Sequence, residues 1–357
     1  MELFQANRQW STRPDDERYP TLEALHEAAT TYRRQATERN KVPVATLSAV
    51  EADGEVKLQG KGGIPAKLSH WAFGQVAKFA GAPADYLRQL PAKLATDNLN
   101  HGLVQRTKDT VVNLLFHQNG GLLLRAFTSD IYSRIWNNEV TERLLDYAAQ
   151  GWQPATPTMN PQDDGKDTAL YVSDHDMFAF ITHPDRIIRE SGNDKGLMRG
   201  LIAINSEVGA RKIVLMRFLY REMCGNHIIW GAEDVVEMSA KHVGDVRGKW
   251  GLWAAEVKRY LDESPQADEA RILAAQRKLI AGTKDELLDA LFGKRSLQLS
   301  RKALTAGYEA VVPEQDGNPL SYWGMAQGLT RYSQTLTYAD KRTDIDAAAG
   351  KVLAMAF

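Results

Sequence analysis

Apolar residues recur along the chain at two periods, and the period changes with position. Leu22, Leu25, Ala29 and Tyr32 repeat at helical spacing behind Thr21, a residue type that suits an N-cap. Residues 42–58 alternate instead about Asp53-Gly54, which predicts strand, tight turn, strand. Residues 69–94 return to the helical period: Ser69 is a cap, and Trp71, Phe73, Val76, Phe79 and Ala80 form an apolar stripe. Gly81-Ala82-Pro83 breaks it, and a second helix runs on through Tyr86, Leu87, Leu90 and Leu94. Two β-prone runs, 110–116 and 121–127, flank Asn119-Gly120, a strong hairpin signal.

After a helix over 140–147, residues 153–166 are rich in Pro, Asp, Asn and Gly and predict a long loop or an internal boundary. Strands resume at 169–172 and 177–181. A longer pair follows at 198–205 and 212–220, turning through Glu207, Val208 and Gly209, and 227–230 closes this β-rich part. From residue 233 the period becomes helical, with segments at 249–261, 269–280, 284–292, 297–308 and 323–337. The expectation is an α+β fold: a central antiparallel sheet with flanking helices and a helical C-terminal part. Three regions follow from it: an N-terminal helix and hairpin (1–59), a central α+β domain (60–232) and a helical region (233–357).

Composition narrows this picture. The chain has 357 residues, 43% of them hydrophobic and 25% charged, with a net charge of −1. It is long enough for a substantial core, and a surface that tracks phosphate everywhere would be more basic. One cysteine, Cys224, makes no internal disulfide and no cysteine-rich metal site. Residues 1–14 are polar, without a signal-peptide core, and no apolar run is long enough to span a bilayer. A cytoplasmic setting without a membrane partner is expected.

Four blocks stand out together. They are Leu124-Arg125-Ala126-Phe127-Thr128-Ser129-Asp130-Ile131-Tyr132; Ile204-Asn205-Ser206-Glu207-Val208-Gly209; Leu219-Tyr220-Arg221-Glu222-Met223-Cys224-Gly225-Asn226; and Tyr322-Trp323-Gly324-Met325-Ala326-Gln327-Gly328-Leu329-Thr330. In this order they resemble the phage/plasmid-related family called domain of unknown function 932, over roughly residues 60–357. The motif positions are Asn205, Ser206, Glu207, Gly209, Cys224 and Asn226. His227 stands where that family usually has a glycine. The resemblance implies carriage on phages, plasmids or integrated elements and implies no reaction.

Charge points to the central strands. Residues 186–221 hold eight basic and three acidic side chains in a near-neutral chain. A twisted hairpin can set alternate side chains on one face, so Arg199, Arg211, Lys212, Arg217 and Arg221, with Tyr220 for stacking, are candidate contacts to a single-stranded nucleic acid. An ordinary ion-paired sheet face explains the same pattern equally well. Glu207 reads either as a polar turn tip or as an acid, metal ligand or hydrogen-bond anchor, with the turn favoured.

The expected function is single-stranded nucleic-acid binding, including strand annealing, in replication or recombination of a mobile element, by analogy of class with phage annealing proteins. No cofactor and no metal are expected. One rival is a metal-dependent enzyme built on Asp174, Asp176, His183 and Glu207; the other is a protein that binds a host factor. Cys224 with His227 is weak as a nucleophile pair, since a lone cysteine is more often a small core residue. Gly60-Lys61-Gly62-Gly63 lacks phosphate-loop spacing. A homo-oligomer is expected, with Trp250, Trp253 and Trp323 as sources of subunit contacts.

Overall fold

A computed structural model describes residues 18–106, 110–118, 120–155, 170–190, 193–221, 226–228, 238–336 and 339–357. The fold is α+β, built on two sheets and a set of C-terminal helices. Helix α1 (Leu22–Arg34) starts where the Thr21 hydroxyl accepts from the Ala24 amide at 3.1 Å, and it buries Leu22, Leu25 and Ala29. The first sheet follows: β1 (Ala36–Pro43), β2 (Leu47–Ala52), β3 (Glu55–Gly60), β4 (Ala66–Leu68), β5 (Val111–Gln118) and β6 (Leu122–Ser129), in the order β1-β5-β6-β4-β3-β2. Asp53 and Gly54 both take positive φ, +58° and +74°, which a two-residue hairpin turn requires. The expected pairing of β5 with β6 is present, with Val112 opposite Ser129 and Gln118 opposite Leu122. Helices α2 (His70–Ala80), α3 (Ala84–Leu87) and α4 (Ala92–Gln105) cover one face, burying Val76, Leu87, Leu99 and Leu103 against Leu114 and Leu124.

The second sheet lies beyond α5 (Asn137–Ala148). It comprises β7 (Gln153–Pro154), β8 (Leu170–Val172), β9 (Met177–Glu190), β10 (Asn193–Asn205), β11 (Ile213–Arg221), β12 (Asn226–Ile228) and β13 (Met238–Ala240). The order is β12-β11-β10-β9-β7, with β8 also on β9 and β13 also on β11. The expected pairing of β10 with β11 is present from Met198 opposite Tyr220 to Ile204 opposite Val214. The C-terminal helices are α6 (Trp250–Asp262), α7 (Pro265–Arg277), α8 (Lys284–Phe292), α9 (Arg301–Glu309), α10 (Pro313–Asp316), α11 (Tyr322–Thr335) and α12 (Ala339–Ala354). Helix α11 is central because its glycines permit close approach. A side chain on Gly328 would stand 2.1 Å from the Gly307 carbonyl oxygen, and one on Gly324 2.1 Å from that of Asn318.

Several expectations need correction. A boundary at 59/60 cuts the first sheet, because β3 pairs with β4 and β1 pairs with β5. The boundary at 232/233 is crossed too: Ile188 and Leu197 of the β9–β10 hairpin lie in the core of the C-terminal helices. The helix expected to run on to Leu94 ends early, and Pro91 caps a new one, consistent with proline's preference for the first turn. Strand β9 extends past Ile181 through Pro184. Arg199 pairs with His183 and Met198 with Ile187, so residues 184–186 bulge from the ladder and the missing amide of Pro184 leaves no rung empty. Most of the predicted 153–166 loop lies outside the described residues. Among the described residues, no helix is long and apolar enough to cross a membrane.

Candidate functional site

The site grows from α2. Ser69 caps it, its hydroxyl accepting from the Ala72 amide at 3.0 Å, and Gly81 ends it in the left-handed region. Ala72, Val76 and Ala77 face the core of the first sheet. Trp71, Gly74, Gln75, Lys78 and Phe79, at helical spacings of three, four, seven and eight, form another face. That face is one wall of a cleft of about 850 Å³. The opposite wall is the start of β5 and the end of β6, from Phe127 to Asp130, with Tyr132 and Gly209. The volume is near the upper end for small-molecule sites. Four aromatic rings (Trp71, Phe79, Phe127, Tyr132) and the cations Lys78 and Arg88 line it, against one carboxylate, Asp130. Lys78 is exposed and forms no ion pair among the described residues.

The cleft lies where the two sheets meet, and the first two sequence blocks form that junction. Arg125 of β6 and Glu207 of the β10–β11 turn make an ion pair of 3.0 Å, with side chains only 2% and 1% exposed. Arg125 also donates to the Asp174 carbonyl at 2.8 and 3.3 Å. The other carboxylate oxygen of Glu207 accepts the Asn137 amide at 3.0 Å, and Arg134 donates to the Glu207 carbonyl. Gln75 braces the junction from α2: its amide nitrogen donates to the Val208 carbonyl at 2.8 Å, while its oxygen accepts the Phe127 amide at 2.8 Å. The Trp71 indole donates to the same Val208 carbonyl at 3.0 Å. The Tyr132 hydroxyl donates to the Ser206 carbonyl at 2.9 Å, and burial holds its pKa well above the usual phenol value despite nearby Arg134. His242 stacks on Tyr132 at 5.1 Å, and burial pushes its pKa down to about 4, assisted by Arg134.

No family model, curated protein or solved structure matches this chain.

The motif residues have local physical roles. Asn205 is buried and donates to the Ile135 carbonyl at 3.0 Å and the Asn137 side chain at 2.8 Å. The Ser206 hydroxyl donates to the His175 carbonyl at 2.6 Å and accepts the Ala210 amide at 2.9 Å. Gly209 has φ of +81°. Glu207 is therefore an anchor, not a solvent-facing turn tip, because it is the counter-charge to a buried guanidinium. Cys224 lies outside the described residues, as do the side chains of Tyr220, Arg221 and Asn226.

The basic face expected on the hairpin divides. Arg199 is fully buried, paired with Asp268 at 2.6 Å and donating to the carbonyls of Tyr260 and Glu263 at 2.7 and 2.6 Å. Its position is corrected from a phosphate contact to a pin between β10 and the C-terminal helices. Arg217 lies over the Tyr260 ring at 4.6 Å and meets Glu256 and Glu263 at 3.4 and 3.3 Å, so its charge is largely met within the chain. Arg211 and Lys212 lie in the β10–β11 connection, two and three positions after the lining residue Gly209 and at most about 7 and 11 Å of chain from it, and Lys212 is exposed.

The rival metal set does not converge. Glu207 is held by Arg125; Asp176 accepts the Ser173 hydroxyl at 2.8 Å; and His183, seven residues along β9, binds the Gln150 carbonyl at 3.1 Å. Among the described residues, no group of three or more His, Cys, Asp or Glu side chains is placed to hold a metal ion. Two of the expected subunit contacts are corrected as well: Trp323 and Trp253 are 1% and 6% exposed and belong to the core of the chain, while Trp250 is half-buried and packs edge-on against Trp253 at 5.4 Å. Sequence reading passed over Gln75, Lys78 and Arg88. The available signal was the face Trp71-Gln75-Lys78, polar and aromatic beside the Ala72-Val76-Ala77 core stripe of the same helix.

Proposed function

We propose that this chain binds single-stranded nucleic acid in the cleft between α2 and the ends of β5 and β6, in the service of a mobile element. The observation that carries the reading is the lining itself: aromatic rings interleaved with the cations Lys78 and Arg88 in one open cleft. Such a surface suits a strand, because every base offers a face to a ring and every linkage offers a charge to a cation. Lys78 lies on one wall, while Arg211 and Lys212 follow the opposite wall at Gly209. The resemblance of the four blocks supports the mobile-element setting, and the first two blocks build the wall of this cleft.

The test is fluorescence anisotropy with labelled oligothymidylate at about 50 and 200 mM salt. Binding should weaken with salt, because each phosphate contact releases a counterion. Lys78→Ala should weaken binding and reduce the log–log salt slope by about 0.7, the value for one single-strand phosphate contact. Arg211→Ala with Lys212→Ala should reduce it by about twice that. Duplex of the same length should bind less well, since its bases are stacked away from the rings. Folded variants with wild-type affinity and slope would remove these cations from the interface.

A further inference from the structure

A second cavity of about 400 Å³ adjoins the cleft, and the two share His70 and Arg88 in their linings. Val56, Leu68, Phe73, Leu87 and Leu90 give it an apolar floor, and Lys67 lies at its rim, 3.0 Å from Glu55. Arg88 stands between the compartments. Its guanidinium donates to the His70 carbonyl at 3.0 Å, lies over the Phe73 ring at 5.2 Å and pairs with Asp85 at 2.8 Å. Asp85 is 95% exposed, and such a pair is worth little, so an incoming phosphate can displace that carboxylate from Arg88. Gly74, in the middle of α2, faces Arg88: a Cβ there would meet the guanidinium at 3.6 Å, an ordinary contact distance. Along α2, His70 and Lys78 are separated by about 12 Å of helix rise. That distance spans about three phosphates at stacked spacing, more than one nucleotide presents.

Resting on the reading above, we infer that the second cavity is a separate subsite for a further nucleotide of the same strand, and that Arg88 contacts the phosphate linking the two compartments. The ligand class is then an oligonucleotide rather than a free nucleotide. The two compartments differ in shape but share one cation, and this arrangement selects for two bases joined by a charged linker.

The experiment compares thymidine 5′-monophosphate with oligothymidylates of increasing length on the wild-type chain, Arg88→Ala and Val56→Trp. The Val56→Trp indole would fill the second cavity and leave Arg88 in place. For the wild type, affinity should climb steeply with the first few added nucleotides. In each variant the ratio of long-strand to mononucleotide affinity should fall about tenfold, the size of one modest base contact. Equal wild-type affinity for mononucleotide and oligomer, or an unchanged ratio in both variants, overturns the second subsite and leaves the first reading standing. Absence of binding by every ligand overturns both.

Discussion

Replacing Glu207 with Gln tests whether the junction between the sheets depends on a buried charge pair. The substitution keeps shape and removes one charge. Both carboxylate oxygens are in use, one accepting from Arg125 and one from the Asn137 amide. A carboxamide has only one acceptor oxygen, so one of these two donors must face an NH₂ group. Arg125 keeps its bonds to the Asp174 carbonyl but loses its counter-charge at 2% exposure. Breaking a buried pair from one side costs about 3–5 kcal/mol, because an uncompensated ion remains inside. The loss of folding stability in Glu207→Gln should lie in that range, read from urea unfolding followed by far-UV circular dichroism. Asp146→Asn is the internal comparison. Its pair with Arg143 is more than half exposed on both sides, and the change should stay within about 1 kcal/mol. A Glu207→Gln cost as small as that of Asp146→Asn would refute the claim that this pair holds the junction.

Two further outcomes follow from the same geometry. The imidazole of His242, held near 4 in the fold against an ordinary value of 6.5, keeps its full contribution above the unfolded value and loses it as pH falls toward 4. Stability should drop by up to about 3 kcal/mol over that window, and His242→Gln should shallow the slope in pH-dependent unfolding; an unchanged slope would remove His242 as the source. Trp71→Ala should weaken oligothymidylate binding by about 1–3 kcal/mol in the same anisotropy titration, with Trp71→Phe retaining much of the affinity, since a ring remains. Equal losses in the two variants would assign the effect to the lost indole bond to Val208 instead of to stacking.

The fold was legible where local chemistry decides it. Asp53-Gly54 gave a turn with two positive φ values, and Ser69 and Thr21 capped the helices that follow them. Long-range pairing was not legible. Nothing in the polar run of β1 signals that it forms the edge of a sheet beside β5, because its partner lies some seventy residues away. The extension of β9 beyond the strand expected at 177–181 was not legible either, because the bulge that accommodates Pro184 depends on the partner strand. The site was legible only in part. The motif around Glu207 was visible as a cluster, but its role depends on Arg125, which arrives from the other sheet. Arginines counted along β10 and β11 looked alike in sequence. Tertiary partners gave two of them structural roles, since Asp268 meets Arg199 and the acidic residues of α6 and its C-terminal end meet Arg217.

The most direct measurement is photocrosslinking of an oligonucleotide carrying 5-iodouracil, followed by mass spectrometry of the crosslinked peptides. Halogenated uracil couples to aromatic side chains it stacks upon, so the position of the adduct reports the position of the base. Adducts on Trp71, Phe79 or Tyr132, lost on competition with unlabelled single strand, are the expected result. Specific adducts confined to the outer faces of the C-terminal helices, with the peptides of α2 and β6 unmodified, would contradict the account.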